Sequence, residues 1–159
     1  MVTPPKSEQE RKFHRKTAVR CFNEAWDYLD LKKRTAEDDR MMLLLAHASR
    51  FHWGLIGTVQ NVAVGNWLIS RVYAALKQTG LSLMFARSAV EICEREKLSE
   101  ALVAAYEAVG RAYAVARNYS SARRYVKKAR RQLDSVDLKD EDKKVYLEQI
   151  EDTQRLIGE

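Results

Sequence analysis

Apolar residues recur along most of this chain at intervals of three and four, the spacing that gathers them on one face of an α-helix. In the first such stretch Ala18, Phe22, Ala25 and Leu29 share a face, which predicts a helix over residues 7–33. Thr35 is placed to cap a second helix, because Glu37, Asp38 and Asp39 follow it and suit the positive end of a helix dipole. That helix is expected to continue through MMLLLAHASRFHW (41–53), and GLIGTVQN (54–61) interrupts the pattern. Further helices are expected over 62–78 and 81–97. Ser99 is the expected cap of a fifth that ends near Arg117, and a sixth covers 120–135. A last helix over 139–157 carries Tyr146, Ile150, Thr153 and Ile157 on one face and stops at Gly158. Both prolines, Pro4 and Pro5, precede the first helix, so nothing afterwards forbids helix and the expected fold is all-α.

Sliding the sequence against itself by forty positions aligns 71–89 with 111–129 without a gap. Arg71 meets Arg111, Tyr73 meets Tyr113, Ala74 meets Ala114, Phe85 meets Tyr125 and Ala89 meets Ala129. A further shift of forty places Trp26, Leu29, Leu45, Ala46 and Ser49 in the matching slots of an earlier, more diverged unit. The chain is therefore expected to be one domain over 8–159 behind a flexible leader, 1–7. Its units are helix pairs at about 8–57, 58–97 and 98–136, and a capping helix at 139–157 turns acidic residues outward.

In the third unit Tyr106, Val109, Gly110, Tyr113, Asn118-Tyr119, Ala122 and Ala129 occupy a signature of large, aliphatic, small and turn positions. On these residues the chain resembles the tetratricopeptide repeat family, in the form of small bacterial proteins of that kind. The second unit keeps Ile69, Tyr73 and Ala89 but has Asn66, Ser70 and Ser82 at other signature positions, and the first keeps Trp26 and Leu29 with Lys33 where an aromatic is expected. The period of forty also exceeds that family's usual period of about 34. The resemblance implies a right-handed solenoid of about three antiparallel helix pairs, acting as a scaffold that binds a protein or peptide in a groove lined by the first helix of each pair.

Carried over position by position, that groove would present Glu24, Asp27, Leu31, Val64, Trp67, Arg71, Ala74, Ala104, Glu107, Arg111 and Ala114. Trp67, Arg71, Glu107, Arg111 and Asp27 are the candidates, since a large aromatic beside two arginines suits a peptide or carboxylate. The competing expectation is that Trp67 is core and the arginines pair with Glu24, Asp27 or Glu107.

Charge adds a second candidate surface. The net charge of +6 and a pI near 9.4 permit an anionic partner. On a helical wheel Ala122, Val126, Ala129 and Leu133 form one stripe, and Arg123, Arg124, Lys127, Lys128, Arg130 and Arg131 cover the other side. That basic face is expected to be a solvated surface, or else the footprint of a nucleic acid. Against nucleic acid, it lacks interleaved exposed aromatics, Tyr125 being expected to face inward. A third expectation is a homodimer formed through an open end of the stack.

Other chemistry has little support. Cys21 and Cys93 lie far apart in apolar helical patterns and are expected to be buried free thiols. His47 and His52, five residues apart, point about 140° away from each other on a helix, so no metal is expected. Trp53 before two glycines is a candidate pocket lip, with His52 at its edge. There is no GxSxG, P-loop, dinucleotide-binding glycine pattern or HExxH, so neither catalysis nor a cofactor is expected. The polar first residues and the shortness of MMLLLA (41–46) lead to the expectation of a soluble, cytoplasmic protein with no membrane association.

Overall fold

A computed structural model describes residues 3–158, and the described residues form seven α-helices with no strand. They are α1 (Glu8–Leu29), α2 (Ala36–Ile56), α3 (Val59–Ala75), α4 (Thr79–Arg95), α5 (Ser99–Val115), α6 (Tyr119–Asp134) and α7 (Asp140–Ile157). None of them is long and apolar enough to cross a membrane. Residues 1, 2 and 159 of the expected leader and domain lie outside the described residues. Within the leader, Pro5 is buried and the Lys6 amide donates to Glu10 at 2.6 Å.

The first three helices begin alike. Ser7, Thr35 and Thr58 each accept from the backbone amide three residues on, and Glu10, Asp38 and Asn61 answer with their side chains to the cap's own amide. Such reciprocal caps satisfy two otherwise orphaned donors. The third of them decides where α3 begins. Gly54 does not end α2, which runs on to Ile56, and α3 starts at Val59 because Thr58 caps it. At the other end of the first pair, α1 stops at Leu29, four residues before the expected 33. Ser99 is the first residue of α5 rather than its cap, and no side chain caps that helix.

From α3 onward one turn repeats. Lys77, Lys97 and Arg117 have φ of 58°, 56° and 60°, the left-handed conformation that ends many helices. The amide after each donates to a carbonyl five residues back: Gln78 to Tyr73, Leu98 to Cys93 and Asn118 to Tyr113, all at 2.9 Å. The amides of Lys77, Lys97 and Arg117 themselves close the inner bond of the same motif. The three turns are twenty residues apart, and so are the starts of α3, α4, α5 and α6. Two such helices make the forty-residue period seen in the sequence. The first pair is built differently, with longer helices and an extended Gly57 between α2 and α3.

Neighbouring helices pack along the chain, and α3 also lies against α5 while α1 barely touches α3. This arrangement is compatible with a helical repeat. α7 packs on both α5 and α6, as α5 packs on both α3 and α4. Ala86, Ala89, Ala122 and Ala129 are completely buried, and their small size lets helices approach closely. The polar departures of the second unit are buried and partnered. Asn66 donates to Ser88 and accepts from Arg50, and Ser82 donates to the Ser70 carbonyl at 2.9 Å. Gly65 makes room for this, because a Cβ there would sit 2.6 Å from Cδ of Arg50. At the other end of the array α2 leaves Met41, Leu44 and Phe51 exposed, beside an exposed Phe13 of α1.

A side chain in the left-handed region costs about 1–2 kcal/mol, of which glycine's greater unfolded freedom cancels about 0.5–1. Lys77→Gly and Lys97→Gly should therefore each stabilise the fold by up to about 1 kcal/mol, raising Tm by about 2–4 °C. Thermal unfolding followed by circular dichroism measures this, and a lowered Tm in both variants would refute it.

Candidate functional site

Glu107 of α5 is 1% exposed, and three side chains from three helices converge on it. Arg111, one turn further along α5, donates from Nε to Oε1 at 2.8 Å. Arg71 of α3 donates from Nη1 to Oε2 at 3.3 Å, and the Thr153 hydroxyl of α7 donates to Oε1 at 2.5 Å. A lone carboxylate buried this deeply would be costly. The repeat resolves this by bringing Arg71 and Arg111, forty positions apart, to the same acid.

Arg71 is also stacked. Its guanidinium carbon lies 5.1 Å from the Trp26 ring centre and 5.6 Å from that of Trp67, and the two rings are 5.6 Å apart. Burial pushes the Arg71 pKa down, and the carboxylates of Glu107, Asp152 and Asp30 push back. Arginine stays charged under such conditions, so the stacked rings and the nearby acids offset a real desolvation cost.

Above this cluster lies a groove of about 490 Å³. Trp26, Leu29 and Asp30 of α1 form one wall, and Asp152 and Leu156 of α7 form the other. The floor comes from Arg71 and Ala75 of α3 and from Arg111 and Val115 of α5, with Lys77 at one end. The lining cations Arg71, Lys77 and Arg111 are matched by the lining acids Asp30 and Asp152 together with Glu107 beneath. The groove is therefore close to neutral.

Four of the five groove candidates, Trp67, Arg71, Glu107 and Arg111, meet in the Glu107 cluster, and of these Arg71 and Arg111 line the groove. Asp27 does not. It is exposed on α1 and absent from the groove lining, about 100° around the helix from Trp26. Asp30, four residues after Trp26 and so on its face, supplies the acid instead. Glu24 pairs with Arg20 at 3.6 Å rather than with either arginine. Sequence reasoning passed over Trp26 as a stacking partner and Thr153 as a hydroxyl donor. The sequence signal for Trp26 was its place in the repeat alignment, and Thr153 had been read only as part of an apolar face.

The α6 surface differs from expectation in one of its cations. Arg123, Arg124, Lys127, Lys128 and Arg131 are exposed, but Arg130 is half-buried and donates to Gln154 at 2.6 Å. Tyr125 is half-buried, packed against the core residues Ala86, Ala108 and Val109 and beside Tyr106 and Tyr113. Lys128 sits over the rings of Tyr106 and Tyr125, and Arg124 over that of Tyr125. The rings are covered by the protein's own cations.

His47 packs against Tyr73 and Phe85, with Nε2 3.2 Å from the Tyr73 hydroxyl. His52 has a partner that the spacing argument never considered, His14 of α1, with the two Nδ1 atoms 2.6 Å apart. Trp53 lines a cavity of about 190 Å³ with Phe22 and Val64, and His52 is not part of that lining. Among the described residues no three potential metal ligands come together. Cys21 and Cys93 are buried free thiols, and burial, followed by Glu94, pushes the Cys93 thiol up to about 11.

No family model, curated protein or solved structure matches this chain.

Removing the acid at the centre should cost more than removing either arginine. Glu107→Leu leaves two desolvated guanidiniums without their carboxylate and should cost about 3–5 kcal/mol. Arg71→Met leaves Glu107 its Arg111 and Thr153 donors and should cost less. Urea unfolding of the two variants compares them, and an equal or reversed order would show that Glu107 is not the centre. Acid should also weaken the fold. Burial holds the His47 and His52 pKa values below the ordinary 6.5, with His14 adding to the effect at His52. The contribution of these neutral imidazoles is complete above pH 6.5 and declines as pH falls through their lowered values. Tm should drop between pH 7 and 5, and drop less in His52→Asn. An identical slope in that variant would exclude the histidine pair as the cause.

Proposed function

We propose that this chain is a tetratricopeptide-like interaction module, three antiparallel helix pairs in a right-handed stack closed by α7, that binds a short peptide segment in the groove between α1 and α7 and has no catalytic role. The observation that carries this reading is the Arg71 side chain. It lies over both Trp26 and Trp67, whose rings contact each other beside it, and spends Nη1 on Glu107, while its Nε and Nη2 make no hydrogen bond among the described residues. A preorganised donor in a concave surface with apolar walls suits a peptide carbonyl flanked by an apolar side chain.

The balanced charge of the groove favours the same class of ligand. A peptide backbone brings both acceptors and donors, which match Arg71 on the floor and Asp30 and Asp152 on the two walls. A polyanion would meet those acids. The nucleic-acid reading therefore rests on α6 alone, where Lys128 and Arg124 already stack on the protein's own tyrosines. The homodimer reading has a separate support in Met41, Leu44 and Phe51, exposed along α2.

The test is selection of peptides from a displayed random library, followed by affinity measurement against two surface variants. Leu156→Glu alters an exposed groove wall and should weaken the selected peptides at least about tenfold, a loss of about 1.4 kcal/mol. Lys127→Glu on α6 should leave them unchanged. Failure to select any peptide, or sensitivity to Lys127→Glu alone, would overturn the groove reading.

A further inference from the structure

The even-numbered helices repeat their burial as well as their spacing. α2 buries Met42, Ala46 and Ser49, α4 buries Ser82, Ala86 and Ala89, and α6 buries Ala122, Val126 and Ala129, the same three positions at offsets of forty. The residues two before Ala46, Ala86 and Val126 lie about 200° round each helix from them. These are Leu44, Met84 and Arg124, and all three are exposed. The three helices therefore turn equivalent sides outward. They are also neighbours, since His47 of α2 packs on Phe85 of α4 and Tyr125 of α6 packs on Ala86 of α4. No residue of α2, α4 or α6 lines the groove, so this is a separate face.

What that face carries changes along the array. α2 offers Met41, Leu44 and Phe51, the equivalent positions of α4 are Leu81, Met84 and Glu91, and those of α6 are Ser121, Arg124 and Arg131. Leu44 is 64% exposed, Met84 52% and Phe51 50%, which is a large opening for side chains of this size on adjoining helices. Glu91 is the one acid in these rows, and residues 40–90 contain no Asp or Glu at all. α6 adds six Lys or Arg against the single acid Asp134. Apolar side chains at one edge and a dense cationic helix at the other match a bilayer surface that contains anionic lipid. The boundary of the acyl chains takes the former, and the headgroups attract the latter. A nucleic acid would leave Leu44 and Met84 without a partner. A docked peptide helix would need a groove, whereas Leu44 and Phe51 project with half or more of their surface open.

We propose that this outward face docks the protein on an anionic lipid bilayer, with α6 drawn to the headgroups and Leu44, Phe51 and Met84 entering the interfacial region. The sequence expectation of no membrane association rested on the lack of a spanning segment, and adsorption to a surface needs none. The docking face does not depend on the groove reading, because the two share no residue.

The full chain is sedimented with vesicles of phosphatidylcholine alone and with vesicles of equal parts phosphatidylcholine and phosphatidylglycerol. It should bind the mixed vesicles at least about tenfold more tightly, and that binding should weaken as salt is raised. Lys127→Glu combined with Arg131→Glu should weaken it at least about tenfold. Leu44→Ser combined with Phe51→Ser changes no charge and should also weaken it at least about tenfold. All four positions are exposed, and an unchanged Tm shows that each variant is folded. Leu156→Glu, which alters the groove, should bind vesicles normally, so failure of one reading is visible apart from the other. Absent binding, or equal binding to both kinds of vesicle, overturns the proposal. Full binding by the Leu44→Ser, Phe51→Ser variant overturns it too, because charge attraction alone would then account for the result. Capture of an oligothymidylate in place of vesicles would assign α6 to nucleic acid. A dimer that this serine variant dissolves, with no vesicle binding by the parent chain, would assign α2 to a second copy. Either result refutes lipid docking.

Discussion

Glu107 sits where a carboxylate is hardest to keep, and three helices are arranged around keeping it. The acid is fully enclosed, so its two oxygens must be met by donors from the protein itself. Arg111 comes from the same helix at the spacing where side chains meet, Arg71 comes from α3, and Thr153 comes from α7. The carboxylate is thus a three-way tie between α3, α5 and α7. It also explains Trp26 and Trp67. Once Arg71 is drawn down to Glu107 it loses water, and the two adjoining indole rings are surfaces against which a guanidinium can be desolvated at low cost. One buried charge therefore determines the position of two arginines, two tryptophans and a threonine.

That tie depends on a regular spacing of helices, and the spacing comes from the turns. Lys77, Lys97 and Arg117 close three helices in the same left-handed conformation, so α4, α5 and α6 each begin twenty residues after their predecessor. Equal helix and turn lengths bring equivalent residues into equivalent places, which is how Arg71 and Arg111 come to flank one acid. The residues used there are not glycine. The positive side chain lies beside the exposed carbonyls at a helix C-terminus, where a cation is favoured, and this offsets part of the conformational cost.

Much of this was legible in the sequence, for a physical reason. Helical periodicity and the forty-residue offset are written in many residues at once, so the seven helices and the pairing of Arg71 with Arg111 could be read directly. Boundaries were less legible where a single residue decides. Gly54 looked like a stop but lies within α2, since one glycine costs a helix only about 1 kcal/mol. The face of α1 was misjudged for a related reason. The first pair has longer helices than the others, so an alignment by forty does not preserve its rotation, and Asp27 was placed where Asp30 stands. His14 was invisible to any argument confined to one helix, since its meeting with His52 is made by the packing of α1 on α2.

The position of α7 decides what the concave side can do. A terminal helix that merely shielded the last pair would need only an apolar face, and Ile150 and Ile157 provide one. α7 does more, because Thr153 completes the Glu107 cluster, the Gln149 backbone carbonyl accepts from Arg111, and Asp152 and Leu156 build one wall of the groove. The same helix covers a smaller cavity, of about 230 Å³, with Val145, Tyr146 and Gln149. The inner surface is thereby divided into a wide, charge-balanced groove and a narrow, uncharged cavity, with Trp67 between them. Trp67 lines the cavity, and its ring lies beside Arg71, which lines the groove. Charge is balanced among the residues of the one space and absent from the lining of the other.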